Sequence, residues 1–363
     1  MAEAERYARQ IALPGFGEAA QDALHGARVL VIGAGGLGST VIPSLAAAGV
    51  GTIGIVDDDT VELSNLHRQH IHGMADLGAA KTASAAATLA STDPNTVVRQ
   101  YAARLTSVNA LELFADYDLV VDGSDNFPTR YLANDAAALT RTPLVWGAVS
   151  QYGGQAAVAW HDRGPGFRDL FPAPPAPGSV LSCEDGGVLP TTVGIIGSIL
   201  ANEAIKIITG IGNPLIGRVT TYDALSGAFR ELAYQRDPDA PPITELIDYE
   251  LFCGLPSRAQ TITAAALARE LEASNPPLLL DVREEWEADV ARLPDSVLVP
   301  LARLPLTIDD LDPARSMVVY CHHGIRSATA LAQLRARGFT NARHLEGGID
   351  AWAREIDADM ARY

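Results

Sequence analysis

The stretch Val29–Thr40, VLVIGAGGLGST, decides the fold. Four aliphatic residues run straight into glycines at 33, 35, 36 and 38. Small and apolar residues then resume at helical spacing through TVIPSLAAAGV, which Gly49 is placed to cap at its C-terminus. The pattern is strand, tight turn, helix. Gly33, Gly35 and Gly38 fit G-x-G-x-x-G in the context that motif needs, where bare backbone lets phosphates approach a helix N-terminus. Further apolar runs follow at TIGIVDDD, DLVVDGSD, PLVWGAVS and QAAVAW, as buried parallel strands tend to read. Between TIGIVDDD and DLVVDGSD lies a second helical stretch, GAAKTASAAATLAST. The alternation predicts an α/β domain around a mostly parallel sheet. Asp57 ends the second strand, about where a ribose hydroxyl is held in such folds.

A chain of 363 residues is long for one domain. A Pro-rich loop, FPAPPAPGS, interrupts the first unit, and a second Pro-rich stretch, RDPDAPPITELI, reads as a boundary. From about Thr261 the pattern restarts with the helix AAALARELEAS, the strands LLLDV and MVVYC, the helix SATALAQLRARG and the run HLEGGIDAWAREI. The expected organisation is therefore residues 1–245, a linker over 246–260, and a smaller α/β domain over 261–363. The net charge of −17 argues against a nucleic-acid or anionic-membrane surface. The N-terminal MAEAERYARQ lacks the apolar core of a signal peptide. The apolar TTVGIIGSILANEAI is read as too short to span a bilayer, and it carries Glu203. Three cysteines, Cys183, Cys253 and Cys321, make no disulfide framework and fit a reducing cytoplasm.

The glycine loop alone implies a nucleotide. The residues after it separate the nucleotides. DDDTVELSNLHRQ places Asn65 and Arg68 beyond the acidic strand end, Lys81 opens the next helix, and DGSDN sets Asp125 and Asn126 at another strand's carboxyl end. Two cations and a carboxylate converging there suit a triphosphate with Mg²⁺, with Asp125 the metal's carboxylate. A dinucleotide needs less positive charge. Singly, Lys81 reads equally as a solvated helix face and Asp125 as a turn cap.

The set RYARQI, GAGGLGS, DDDTVELSNLHRQ, GAAK, DGSDN and LSCEDGGVLP resembles the E1-like adenylyltransferases of the MoeB/ThiF family, over roughly residues 5 to 235. The resemblance implies a Rossmann-like adenylation domain that uses ATP to adenylate the C-terminal glycine of a ubiquitin-like sulfur carrier ending in Gly-Gly. It implies that Gly36, Asp57, Ser64, Asn65, Arg68, Lys81, Asp125 and Asn126 line the ATP site. It also implies that Arg9 reaches in from the other subunit of a homodimer. Many family members hold a structural zinc on two CxxC pairs. The matching positions here are Gly166, Asp169, Ala240 and Ile243. Three scattered cysteines cannot make a Cys₄ site, so no zinc is expected. Another element, with PPITELIDYELFCG the candidate, must tie down that end of the domain.

In the second domain CHHGIR joins an apolar strand to a helix read as beginning near Ser327. Backbone N–H groups in such a turn favour an anion at the Cys321 sulfur, and Arg326 is expected to add a fixed positive charge. Phosphatase loops set the arginine one place further on, with a larger loop fitted to phosphate. With LLLDVREEWE upstream and HLEGGIDAW downstream, residues about 262 to 358 resemble a rhodanese domain. Asp281 and Arg283 match, while the usual GHIPGA stretch reads ARLPDS. The resemblance implies a covalent persulfide on Cys321, loaded from thiosulfate or a cysteine desulfurase. His322 and His323 are read as loop residues tuning the thiolate, their side chains pointing apart and with no acidic partner nearby. Cys183 divides evenly between a small buried hydrophobe and a thiol that bonds the activated carrier. Cys253 is assigned to core packing.

The first domain makes an electrophile and the second brings a nucleophilic sulfur, so fusion raises the donor's effective concentration. Two other readings are a nicotinamide-dependent oxidoreductase and a carrier-binding scaffold without turnover. SNLHRQ with Lys81 speaks against the first, and the intact cation set against the second.

Overall fold

The computed structural model describes residues 2–175, 186–254 and 260–362, and divides into two compact units, the first ending at Tyr249 and the second running from Glu250. Cys183, and with it part of LSCEDGGVLP, lies outside the described residues.

The first unit is one sheet of eight strands in the order β3-β2-β1-β4-β5-β6-β7-β8. They are β1 (Arg28–Ile32), β2 (Thr52–Val56), β3 (Val97–Tyr101), β4 (Leu119–Asp122), β5 (Leu144–Ser150), β6 (Gly153–Ala159), β7 (Arg218–Asp223) and β8 (Ala228–Ala233). From β3 to β5 all pairings are parallel. From β5 onward they are antiparallel, so QAAVAW forms an antiparallel strand rather than another member of the parallel set. The chain leaves β1 toward β2 and later returns to its other side as β4. The β1–β4 crevice is therefore the topological switch point, where open α/β sheets bind ligands.

Val29, Val31, Ile53, Ile55, Val121 and Val145 form one buried cluster with Val41 and Leu45 of helix Gly38–Ala48 and Ile196 and Leu200 of helix Pro190–Thr209. The last helix is longer than the sequence reading allowed. At 20 residues it is long and apolar enough, by length and composition, to cross a membrane. Here it packs on β5, β6 and helix Gly38–Ala48. Its Glu203 is 2% exposed and accepts a hydrogen bond from the Leu215 amide at 2.8 Å.

The second unit is an all-parallel five-stranded sheet, β11-β10-β12-β13-β9, with β9 (Thr261–Ile262), β10 (Leu278–Asp281), β11 (Val297–Leu298), β12 (Met317–Tyr320) and β13 (Ala342–Leu345). Its central strand β12 is wholly buried and delivers the chain to Cys321.

Candidate functional sites

At the switch point Gly33 sits at φ +89°, and its amide donates to the Val56 carbonyl at 2.8 Å. A Cβ on Gly38 would lie 2.0 Å from the Gly33 carbonyl oxygen, so only glycine lets the helix start this close to β1. Asp57 ties the loop down. One carboxylate oxygen accepts the Ala34 amide and the other the Asp59 amide, both at 2.8 Å. Burial pushes its carboxyl above the usual range, opposed by the Lys81 charge and these hydrogen bonds. Lys81 opens helix Lys81–Thr92 and is 6% exposed. Its ammonium meets the exposed Asp59 carboxylate at 2.7 Å, and its amide donates to the Asp59 carbonyl at 2.9 Å.

Asn65 is buried at the end of the turn Leu63–Asn65, where its side-chain oxygen accepts the Glu62 amide at 3.2 Å. Arg68 donates to the Ser64 carbonyl at 3.1 Å, and its Cδ lies 3.9 Å from where a Cβ on Gly36 would be. Arg68 is thus beside the glycine loop. Asp125 is exposed past the end of β4. The Asn126 side chain caps helix Phe127–Thr140 by accepting the Thr129 amide at 3.0 Å. Carboxylate oxygens of Asp57, Asp58 and Asp59 lie within 4.8 Å of one another, a group that does not include Asp125. Arg9 is exposed on helix Ala2–Ile11.

Sequence reasoning missed two residues here. His72 bridges Ser84 at 2.8 Å and the Ala34 carbonyl at 2.9 Å, and burial lowers its pKa, so it braces the glycine loop as a neutral ring. Gln69 is 3% exposed, and its Nε2 lies 3.7 Å from a Cβ built on Gly35. Both lie in the stretch RQHIH, where no residue type marks them off from a polar turn.

Of the four positions singled out as zinc-ligand matches, Gly166 and Asp169 are hydrogen-bonded to each other. Asp169 accepts the Gly166 amide at 2.6 Å and the Asp237 amide at 2.9 Å, which joins the two segments. Arg168 forms a two-pronged pair with buried Asp135 at 2.7 Å, and Tyr249, from the stretch DYELFCG, donates to the same carboxylate at 2.7 Å.

In the second unit Cys321 is 1% exposed. The Gly324 amide donates to its Sγ at 3.1 Å. The loop is held from behind, because the Cys321 and His322 carbonyls accept the Ile349 and Asp350 amides at 2.9 and 3.1 Å. Those amides open helix Gly348–Glu355, and a Cβ on Gly348, already at φ +62°, would fall 2.2 Å from the His322 oxygen. The helix after the loop begins at Ile325, two residues before the expected start.

Two further expectations are corrected. The Arg326 guanidinium is gripped by both oxygens of Glu287 at 2.6 and 2.7 Å, so its charge is offset locally instead of standing free beside the thiol. His322 and His323 do not point apart: their rings stack at 3.9 Å, and the Asp350 carboxylate is 4.0 Å from His323 Nδ1. Burial and the neighbouring His323 push the His322 pKa down to about 4, which keeps that ring neutral. Asp281 and Arg283 form a fully buried two-pronged pair under the site, joined by the Tyr320 hydroxyl. ARLPDS takes part in the same network through the Ala291 carbonyl and Ser296. Cys253 is buried.

Comparison with known proteins follows this division. The ThiF family model matches residues 7–242, and the rhodanese-like domain model matches residues 263–355. The chain is 46% identical to the probable adenylyltransferase/sulfurtransferase MoeZ of Mycobacterium tuberculosis, over 99% of this chain and 95% of that one. It is 50% identical to the sulfur carrier protein adenylyltransferase of Thermus thermophilus, over 70% of this chain and 97% of the relative. The crystal structure of E. coli MccB with MccA-N7isoASN superposes with a TM-score of 0.59 at 20% identity, covering 65% of this chain and 73% of that one, a likeness of fold.

Proposed function

The chain belongs to the ThiF family, carries a rhodanese-like domain, and is an adenylyltransferase and sulfurtransferase; we propose that it adenylates the C-terminal glycine of a ubiquitin-like sulfur carrier and then replaces the adenylate by sulfur carried on Cys321. The observation that carries this is whole-length similarity to a two-activity relative in a chain that retains both the glycine loop with Lys81 and the enclosed Cys321 loop. The carrier carboxylate attacks the α-phosphate of ATP, pyrophosphate leaves, and an acyl-adenylate forms. Arg68, Lys81 and the partner subunit's copy of Arg9 offset the charge gathering on the phosphates. Gly33, Gly35, Gly36 and Gly38 leave room for the phosphates, with Asp57, Ser64, Asn65 and Asn126 around the nucleotide. Asp125 would hold a Mg²⁺ ion, which neutralises phosphate charge when bound.

In the second step the terminal sulfur of the Cys321 persulfide attacks the acyl carbon and AMP leaves. The product is an acyl disulfide to Cys321, and an added thiol reductant cleaves its S–S bond to release the thiocarboxylate. Thiosulfate or a cysteine desulfurase reloads the thiol, in a homodimer working in the cytoplasm. The test is ATP–pyrophosphate exchange by the full chain with a purified Gly-Gly carrier. Exchange is expected only with the carrier present and with its terminal glycine intact. Exchange indifferent to the carrier would overturn the substrate assignment.

Zinc has no part in this reading. Asp169 ties its own turn through the Gly166 amide and joins the two segments through the Asp237 amide, each hydrogen bond worth about 0.5–1.5 kcal/mol. Asp169→Ala is therefore expected to lower the Tm by several degrees, whereas a chelator leaves the wild-type Tm unchanged. Elemental analysis showing one zinc per chain would reverse the assignment.

A further inference from the structure

We propose that Ser327 is a further catalytic residue of the sulfurtransferase half, its hydroxyl stabilising the Cys321 sulfur as an anion while His344 fixes the hydroxyl from behind. The inference rests on Cys321 as the sulfur-carrying thiol.

The Arg326 guanidinium is paired with Glu287, and Sγ has hydrogen-bond partners in the loop and helix that follow it. Among the described residues two groups reach Sγ: the Gly324 amide at 3.1 Å and the Ser327 hydroxyl at 3.6 Å. Ser327 stands in the first turn of helix Ile325–Ala336 and is fully buried, a position that alanine would fill without a polar atom to satisfy. Its oxygen also lies 2.9 Å from the Gly324 carbonyl and 3.4 Å from His344 Nδ1. His344 projects from β13 and is 9% exposed.

A hydroxyl has one proton and two lone pairs. With the thiol protonated, S–H donates to Ser327 Oγ, and the Ser327 proton goes to the Gly324 carbonyl. When the thiol loses its proton to solvent, sulfur becomes an acceptor. The Ser327 proton then swings from the carbonyl to sulfur, and a lone pair of Oγ accepts Nδ1–H from His344. This requires a neutral His344 with its proton on Nδ1. Burial pushes the His344 pKa down to about 4, so the ring stays neutral throughout the working range. The same hydroxyl serves a persulfide, which also carries its negative charge on sulfur.

The other ionisable groups around the loop are the Arg326–Glu287 and Arg283–Asp281 pairs, His322, His323, and Asp350 with Arg354 and Arg362. All are retained when Ser327 or His344 is changed.

The test follows iodoacetamide alkylation of Cys321 in the full chain by peptide mass spectrometry at pH 7 and pH 10. Hydrogen bonds to an ionised group are worth roughly a factor of ten. Ser327→Ala is expected to slow alkylation about tenfold at pH 7 and to converge with wild type at pH 10, where thiolate no longer limits. Ser327→Thr keeps the hydroxyl and the wild-type rate. His344→Leu slows the pH 7 reaction severalfold. Equal slowing at both pH values, which signals altered access, overturns the assignment, as does a Ser327→Ala rate matching wild type or a Thr variant as slow as Ala. Failure of the underlying reading shows separately, as a wild-type chain that yields no cyanide-releasable sulfur after thiosulfate treatment.

Discussion

Replacing Lys81 by alanine is expected to cut carrier-dependent ATP–pyrophosphate exchange by about 10²-fold or more while leaving the fold intact. The two halves of that statement have separate grounds. Lys81 is nearly buried beside the glycine loop's acidic brace, and its ammonium is matched by an Asp59 carboxylate that is itself 66% exposed. A triphosphate arriving there can draw the ammonium from Asp59, which water then solvates at little cost. Removing the ammonium takes away one of the cations that offset charge developing on the phosphates, in a site whose neighbouring carboxylates already repel it. Stability should scarcely change. Lysine at a helix N-terminus opposes the helix dipole, and alanine is the better helix former. Wild-type exchange by the variant, or binding of NAD in preference to ATP, would remove the ATP assignment.

What could be read from the sequence was local. VLVIGAGGLGST shows strand, turn and helix because each partner of the Gly33–Gly38 contact lies within the same few residues. CHHGIR is visible for the same reason. What could not be read was tertiary. Nothing in DDDTVEL says that Asp59 will meet Lys81, 22 positions on. Nothing in REEWE says that Glu287 will seize Arg326, 39 positions on. Strands escaped for physical reasons too. β3 is largely exposed and mixes valines with Arg99 and Gln100, while β9 and β11 are two residues each, too short for any periodicity. QAAVAW looks like a parallel strand because its apolar residues Ala156 to Ala159 are all buried, and burial does not encode direction. The stacked histidines depend on the backbone path over helix Gly348–Glu355, which neighbouring residues in sequence do not reveal.

Cys321→Ser should abolish thiosulfate–cyanide sulfurtransfer, a fall of about 10³-fold or more, and with it persulfide-dependent thiocarboxylate formation. Sulfite leaves when the thiolate takes the outer sulfur of thiosulfate, and cyanide then removes that sulfur as thiocyanate; a serine hydroxyl cannot hold it between the two steps. The fold should survive, since serine oxygen can accept the Gly324 amide in place of Sγ and the loop carbonyls keep their bonds to Ile349 and Asp350. Exchange of ATP with pyrophosphate should continue at the wild-type rate, because every residue assigned to it precedes Glu250. Cys183→Ser separates the two readings of that residue: a thiol that bonds the carrier predicts normal exchange with slowed sulfur release, and a packed thiol predicts no change in either. Mass spectrometry of the carrier decides, because each thiocarboxylate adds the difference between sulfur and oxygen. A full yield of thiocarboxylate from the Cys321→Ser chain, with persulfide as the sole donor, would mean that sulfur reaches the adenylate without the second unit. The enclosed loop would then need a different purpose.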